Sequence, residues 1–234
     1  MNATINLEKN HFPVLLNELI SIISPLYGGT FIDCTFGQGE YTKKILENKT
    51  NKVIALDRDS KVEIFAREIE SKFKGRFQFY NQKFSNINQL NFKNENIKAI
   101  IFDLGFSMNQ ISNLDTGLSF KSKGKLDMRL GLNDISSHEV LMKMDEENLK
   151  LIFKYFGEEK KAKLIARKII KERQNKILNT ENLVNIVDEI NKYNFSKKNH
   201  ATKIFQALRI FVNKEITELI NGLDRKSTRL NSSH

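Results

Sequence analysis

The sequence has no tryptophan, a single cysteine and only two prolines in 234 residues. One cysteine, Cys34, excludes an internal disulfide and fits a reducing compartment. It closes a short apolar run, so it reads as a buried thiol rather than a nucleophile. No apolar run reaches the length that spans a bilayer, and the N-terminus carries no signal-peptide pattern. A soluble cytoplasmic protein that does not enter a membrane is expected. The four histidines (His11, His138, His200 and His234) are scattered without the spacing of metal ligands, so no metal is expected. Neither a Ser-His-Asp arrangement nor an internal repeat is present.

What is present supports a packed core. Apolar residues make up 40%, with 17 Phe. That is enough for one large domain, or a domain with an insertion. The formal charge of +10 favours a polyanionic partner, most simply nucleic acid. A Lys-rich surface in a composition also rich in Asn and Ile would give the same excess.

The chain is organised around TFIDCTFGQGEYT, Thr30 to Thr42. A β-prone run (Phe31, Ile32) ends in Asp33, a turn holds Gly37 and Gly39, and Tyr41 to Leu46 reads as helical. Strand, glycine turn and helix open a doubly wound nucleotide-binding fold. Glycines let a ligand approach the backbone, and the N–H groups of the turn would then face an anionic or polar group. The third glycine of the dinucleotide fingerprint is replaced by Thr42, and a tight turn without a ligand has the same appearance.

NKVIALD (Asn51 to Asp57) reads as a second buried strand ending in an acid. Asp57 stands where such folds place a carboxylate for a ribose diol; the alternative is a helix cap, which Asp59 and Ser60 can supply themselves. RFQFY (Arg76 to Tyr80) is a third strand, followed by a loop with Phe84, which suits either a flat ring or a core plug. KAIIFDLG (Lys98 to Gly105) is a fourth strand ending in Asp103. Three strand-terminal acids beside one glycine turn point to a single polar pocket.

Phe106 to Gly131 lacks periodicity and reads as a long ordered loop. Helices are expected over His11 to Ile23 with Pro13 near the start, then Ser137–Met144, Asp145–Tyr155, Glu158–Gln174 and Thr180–Asn191. The Glu158 helix carries Lys160, Lys163, Arg167 and Lys171 on one face, a solvated face or a phosphate-tracking one. His200 to Ile220 reads as one amphipathic helix returning to the sheet domain.

These segments together resemble the bacterial 16S rRNA cytosine-N4 methyltransferase family. The matching stretches are HFPVLLNE, FIDCTFGQGEYT, ALDRD, KFSNI, FDLGFSMNQ, GLSF, KLDMRL, YFGEEK and ATKIFQALRIFVNKE, in family order from His11 to about Ile220. The resemblance implies an α/β, class I Rossmann-like sheet, incomplete at the C-terminus, with an inserted helical domain. It implies S-adenosylmethionine as methyl donor and the N4 amine of a cytidine in 16S rRNA of the small ribosomal subunit as acceptor. The cofactor contacts it carries over are Gly37, Gly39, Glu40, Tyr41, Asp57, Phe84, Asp103 and Gln110. Asp103 is the candidate catalytic group, accepting a hydrogen bond from the target amine. Arg129, Lys160, Lys163, Arg167, Lys171 and Arg209 are the candidate RNA contacts.

The implied organisation is a methyltransferase domain over 1–110, an inserted substrate-recognition domain over 111–199 and a return helix over 200–223. A polar tail over 224–234 stands where the family continues into further strands, so a truncated chain with a non-native tail is expected. Two departures mark the site: Gly39-Glu40-Tyr41 replaces the family's Gly-Gly-His, and Ser107-Met108-Asn109-Gln110-Ile111-Ser112 replaces Ser-Ser-Pro-Gln-Leu-Asp. The competing readings are an inactive RNA-binding remnant and an NAD-binding oxidoreductase, which the incomplete glycine fingerprint counts against.

Overall fold

The structure is a computed structural model that describes residues 15–23, 27–105, 110, 114–122, 124–131, 133–176, 178–192 and 199–230, the last six by backbone alone. The N-terminal His11–Pro13 stretch, Phe106–Asn109, Ile111–Asn113 and most of the 195–199 link lie outside the described residues. The chain divides into two compact units, Met1–Phe84 with Leu90–Asp103, and Ser85–Gln89 with Leu104–His234.

The first unit is a parallel sheet. Its strands are β1 (Gly29–Asp33), β2 (Asn51–Asp57), β3 (Phe77–Asn81) and β4 (Ile97–Ile101), in the order β3-β2-β1-β4. Gly29 lies opposite Asn51 and Val53 opposite Phe77, while Ile32 lies opposite Ile100. The helices α1 (Leu16–Ile23), α2 (Glu40–Leu46) and α3 (Glu63–Lys72) accompany the strands. Phe31, Ile45, Leu46, Val53, Ala55, Ile69 and Phe77 form the core, as expected for strands that read as short continuous apolar runs. The chain runs outward from β1 through β2 to β3, then returns to place β4 on the other side of β1. The strand order therefore reverses between β1 and β4. Ligand crevices in open α/β sheets form at such a reversal, outside the carboxyl ends of the strands.

The second unit is helical: α4 (Ser137–Lys143), α5 (Glu146–Gly157), α6 (Ala162–Glu172), α7 (Thr180–Asn191), α8 (Thr202–Val212) and α9 (Glu215–Leu230). Ser136 and Glu139 form a reciprocal capping box at α4, and Asn179 caps α7 in the same way with Asn182. Leu149, Phe153, Ile165, Ala166, Ile169, Leu183, Ile204 and Leu208 are among the residues that build one buried core.

Two expectations for this unit change. α6 begins at Ala162 rather than Glu158, because Glu158 ends α5 in a left-handed conformation (φ 50°). Gly157 explains the tight exit: a Cβ there would lie 2.5 Å from the Lys203 carbonyl oxygen. The expected single helix over His200–Ile220 is two helices, broken at Asn213 and Lys214, with Lys214 left-handed at φ 50°. Asn213 causes the break. Its buried amide accepts from the Leu130 N–H (2.7 Å) and from the Asn133 amide (2.9 Å). It donates to the carbonyls of Met128 (2.8 Å) and Arg209 (2.9 Å). The stretch 125–131 is thus pinned to the end of α8. The apolar stripe of α8 lies in the helical core, and α9 continues as one helix through Leu230.

Candidate active site

The site is built on the carboxyl ends of β1, β2 and β4. Asp33, the last residue of β1, is fully buried (0% exposed). Its Oδ2 accepts the Thr42 hydroxyl at 2.8 Å and its Oδ1 accepts the Thr35 N–H at 3.2 Å. Burial pushes this carboxyl from 3.8 up to about 6; the two hydrogen bonds oppose the rise, and the charges of Asp57 and Asp103 add to it. Asp57 and Asp103, the latter two residues beyond β4, therefore both lie within electrostatic reach of Asp33. Thr42, which stands in place of a third glycine, is the donor that satisfies Asp33.

Asp57 ends β2 and shapes the turn after β1. Its Oδ2 accepts the Gly37 N–H at 2.8 Å, and its Oδ1 accepts the Asp59 N–H at 2.9 Å. Burial raises its pKa, against these two bonds. Asp59 caps the following 3-10 turn, Ser60–Val62, by accepting the Lys61 N–H, so Asp57 is not needed as a cap.

The two glycines differ in role. An added Cβ on Gly37 (φ +54°) would meet only the Thr35 carbonyl oxygen, at 4.0 Å. On Gly39 (φ +76°) it would lie 2.5 Å from Ile69 Cδ1 and 2.7 Å from the Phe36 ring. Gly37 thus leaves an open face, whereas Gly39 exists for close packing. Of the turn and helix-start N–H groups expected to face a ligand, two have partners within the protein: that of Gly37 donates to Asp57, and that of Gly39 to the Phe36 carbonyl at 2.7 Å.

Asp103 follows β4 and is exposed. Its N–H donates to Thr35 Oγ1 at 2.7 Å, and its charge lies within electrostatic reach of the Tyr41 phenol. Tyr41 is 6% exposed. Burial first, then the Asp103 charge, pushes its phenol up to about 12. Glu40 turns to Lys43, with which it pairs at 2.6 Å. Phe84 is buried edge-on against Phe102, with ring centroids 5.3 Å apart. Gln110 belongs to the helical unit, where its carbonyl accepts the Thr116 hydroxyl at 3.5 Å.

The basic residues are arranged less uniformly than the sequence implied. Lys163, Arg167 and Lys171 follow one another at four-residue spacing along α6 and are exposed. Arg167 pairs with Glu146 at 3.3 Å. Lys160 lies in the turn before α6, off the helix face on which the sequence placed it. Arg129 makes a forked pair with Asp127 at 2.6 and 2.9 Å. Arg209 is 13% exposed and pairs in the same forked way with Glu215, across the break between α8 and α9. Sequence reasoning missed Thr35 and Asn213. A hydroxyl residue two positions beyond a strand-terminal acid was the available signal for Thr35; Asn213 had none, since apolar periodicity runs through it.

A four-stranded parallel sheet of this order, accompanied by helices, is a Rossmann-like α/β fold of the kind methyltransferases use. The chain belongs to the MraW methylase family, whose model matches residues 8–233. Among similar curated proteins is ribosomal RNA small subunit methyltransferase H of Orientia tsutsugamushi (strain Ikeda), 40% identical over 92% of this chain and 70% of that protein. Those of Ehrlichia canis (strain Jake), at 38% over 91% and 73%, and a Wolbachia strain of Drosophila simulans, at 38% over 95% and 78%, carry the same name.

Proposed function

We propose that the chain methylates the N4 amine of a cytidine in 16S rRNA of the small ribosomal subunit, with S-adenosylmethionine as donor, in the cytoplasm. The observation that supports this reading is that Asp57 and Asp103 both act on the buried Asp33 beside the reversal of strand order, in a member of a methylase family. The residues present fit such a donor. Each oxygen of Asp57 accepts one N–H and carries a further lone pair for a ribose hydroxyl. Gly37 leaves the turn beside it open.

The donor supplies an electrophilic methyl group held on a sulfonium. The protein's part is placement and the handling of charge at the acceptor. An aromatic amine holds its lone pair in the ring. The exposed Asp103 carboxylate would accept an N–H of that amine, drawing the pair onto nitrogen and offsetting the positive charge that develops there. Asp57 would orient the nucleoside part of the donor, with the Gly39-Glu40-Tyr41 turn beside it. Lys163, Arg167 and Lys171 would follow the phosphates of the RNA, with Arg129 and Lys160 as further contacts. The half-buried Arg209–Glu215 pair argues for a structural role at Arg209.

The test is transfer of labelled methyl to small-subunit RNA, with the modified base mapped. Asp103→Asn is expected to lower kcat about 100-fold or more while binding of S-adenosylmethionine stays within about threefold. Near-normal turnover in that variant would remove Asp103 from catalysis. Binding of labelled NAD in place of S-adenosylmethionine would turn the assignment toward an oxidoreductase.

A further inference from the structure

The backbone ladder between β1 and β4 stops at the crevice, and a side chain continues it. Asp33 lies opposite Ile101, the last residue of β4. One step on, the Cys34 N–H donates to the Ile101 carbonyl at 2.9 Å. In a regular parallel pair the next rung would run from the Asp103 N–H to the Cys34 carbonyl. The Asp103 N–H instead donates to Thr35 Oγ1 at 2.7 Å. Thr35 is itself anchored. Its N–H donates to Asp33 Oδ1 at 3.2 Å, and the other oxygen of Asp33 accepts the Thr42 hydroxyl from the first turn of α2 at 2.8 Å. Branching at Cβ restricts the Thr35 side chain to few rotamers. A side-chain acceptor reaches beyond the main chain, so β1 and β4 can part where their order reverses while Asp103 stays tied.

We propose that Thr35 is a positioning residue for Asp103: its hydroxyl oxygen takes the place of the next backbone rung and so sets where that carboxylate stands beside the amine to be methylated. The inference rests on the reading of Asp103 as the acceptor of the amine N–H. Asp103 lies two residues beyond its strand and is exposed. A tether at its own N–H therefore decides where its side chain starts, and misplacement by about 1 Å is costly in a reaction that depends on alignment. Two other uses of a hydroxyl at this place are filled elsewhere. The N-cap position of α2 is Gly39, four residues further on. The buried Asp33 takes its hydroxyl from Thr42, and from Thr35 only the main-chain N–H that any residue but proline would offer. What threonine adds at position 35 is the acceptor for Asp103.

Thr35→Val keeps the shape and the branching and removes the acceptor. It is expected to lower kcat about tenfold, with KM for RNA and the calorimetric Kd for S-adenosylmethionine within about twofold of the parent. Thr35→Ser keeps the oxygen and is expected to hold kcat within about threefold. In the ligand-free protein the Asp103 amide should be protected from hydrogen exchange in the parent and in Thr35→Ser, and lose about tenfold of that protection in Thr35→Val. Unchanged kcat in Thr35→Val, where Asp103→Asn is inactive, overturns the positioning role and leaves Asp103 in place. An equal loss of kcat in the Val and Ser variants overturns it as well, since the oxygen would then not be what matters. Full activity of Asp103→Asn overturns the reading of Asp103 itself. Should Thr35→Val fail to fold, exchange in the parent decides: an Asp103 amide that exchanges as fast as an unprotected one overturns the inference.

Discussion

Asp33 is the acid whose cost to the fold can be worked out. It has no exposed surface, and burial raises its carboxyl from 3.8 to about 6. At about 1.4 kcal/mol per tenfold change in ionisation, holding it ionised in the folded state costs about 3 kcal/mol. The sign follows from proton binding. Below the unfolded value both states are protonated and there is no penalty. Between 3.8 and about 6 the folded state binds more protons than the unfolded one, so stability from this group falls as pH rises. Above about 6 the full penalty is present. Asp33→Asn removes the ionisation. Its amide can still accept the Thr35 N–H and can donate to the Thr42 oxygen, at a loss of about 1 kcal/mol from the weaker bonds. The variant should therefore be about 2 kcal/mol more stable than the parent at pH 8, and equal or slightly weaker at pH 4. The sole cysteine, Cys34, is buried in the adjacent position, so its reaction with dithiodipyridine across a urea titration reports opening of the sheet unit. A stability difference that stays flat from pH 4 to pH 8 would refute the reasoning, because it would mean that Asp33 ionises as easily inside the fold as outside. The variant is expected to be a poorer enzyme, since sites commonly hold acids that the fold alone would not choose.

The other expectations are more direct. Gly39→Ala should cost about 2–4 kcal/mol through collision with Ile69 and Phe36 and left-handed strain. Gly37→Ala should cost about 1–2 kcal/mol, since its Cβ meets open space; equal costs in the Cys34 assay would contradict the packing difference. Lys163→Glu with Lys171→Glu should lower RNA affinity and reduce the slope of log K against log salt by about 1 for each phosphate no longer neutralised. An unchanged slope takes α6 out of the interface.

Most of the sheet was legible because its strands are short apolar runs closed by an acid or a turn. β2 was read to the residue, from Asn51 to Asp57. That Asp57 and Asp103 would act on Asp33 was legible for a topological reason, since strand ends in a parallel sheet lie on one side. The use of the glycine N–H groups was not. Whether an N–H points to a ligand or to a neighbouring acid depends on how two strands are set against each other, and no local pattern records that. The break at Asn213 was hidden for a similar reason. Ile204, Leu208, Phe211 and Leu219 keep helical spacing across it, and only the stretch around Met128 and Leu130, more than 80 positions earlier, supplies the partners that make Asn213 a stop.

Asp57 closes one oxygen on Gly37 and the other on Asp59. The acid proposed to hold the donor's ribose is therefore also the clasp of its own loop. Anyone redesigning the protein for an altered donor, one lacking the sugar diol for example, would find no freely exchangeable specificity residue at that point. Replacing the acid would loosen two peptide groups at once, so a new preference would have to be evolved together with a new loop.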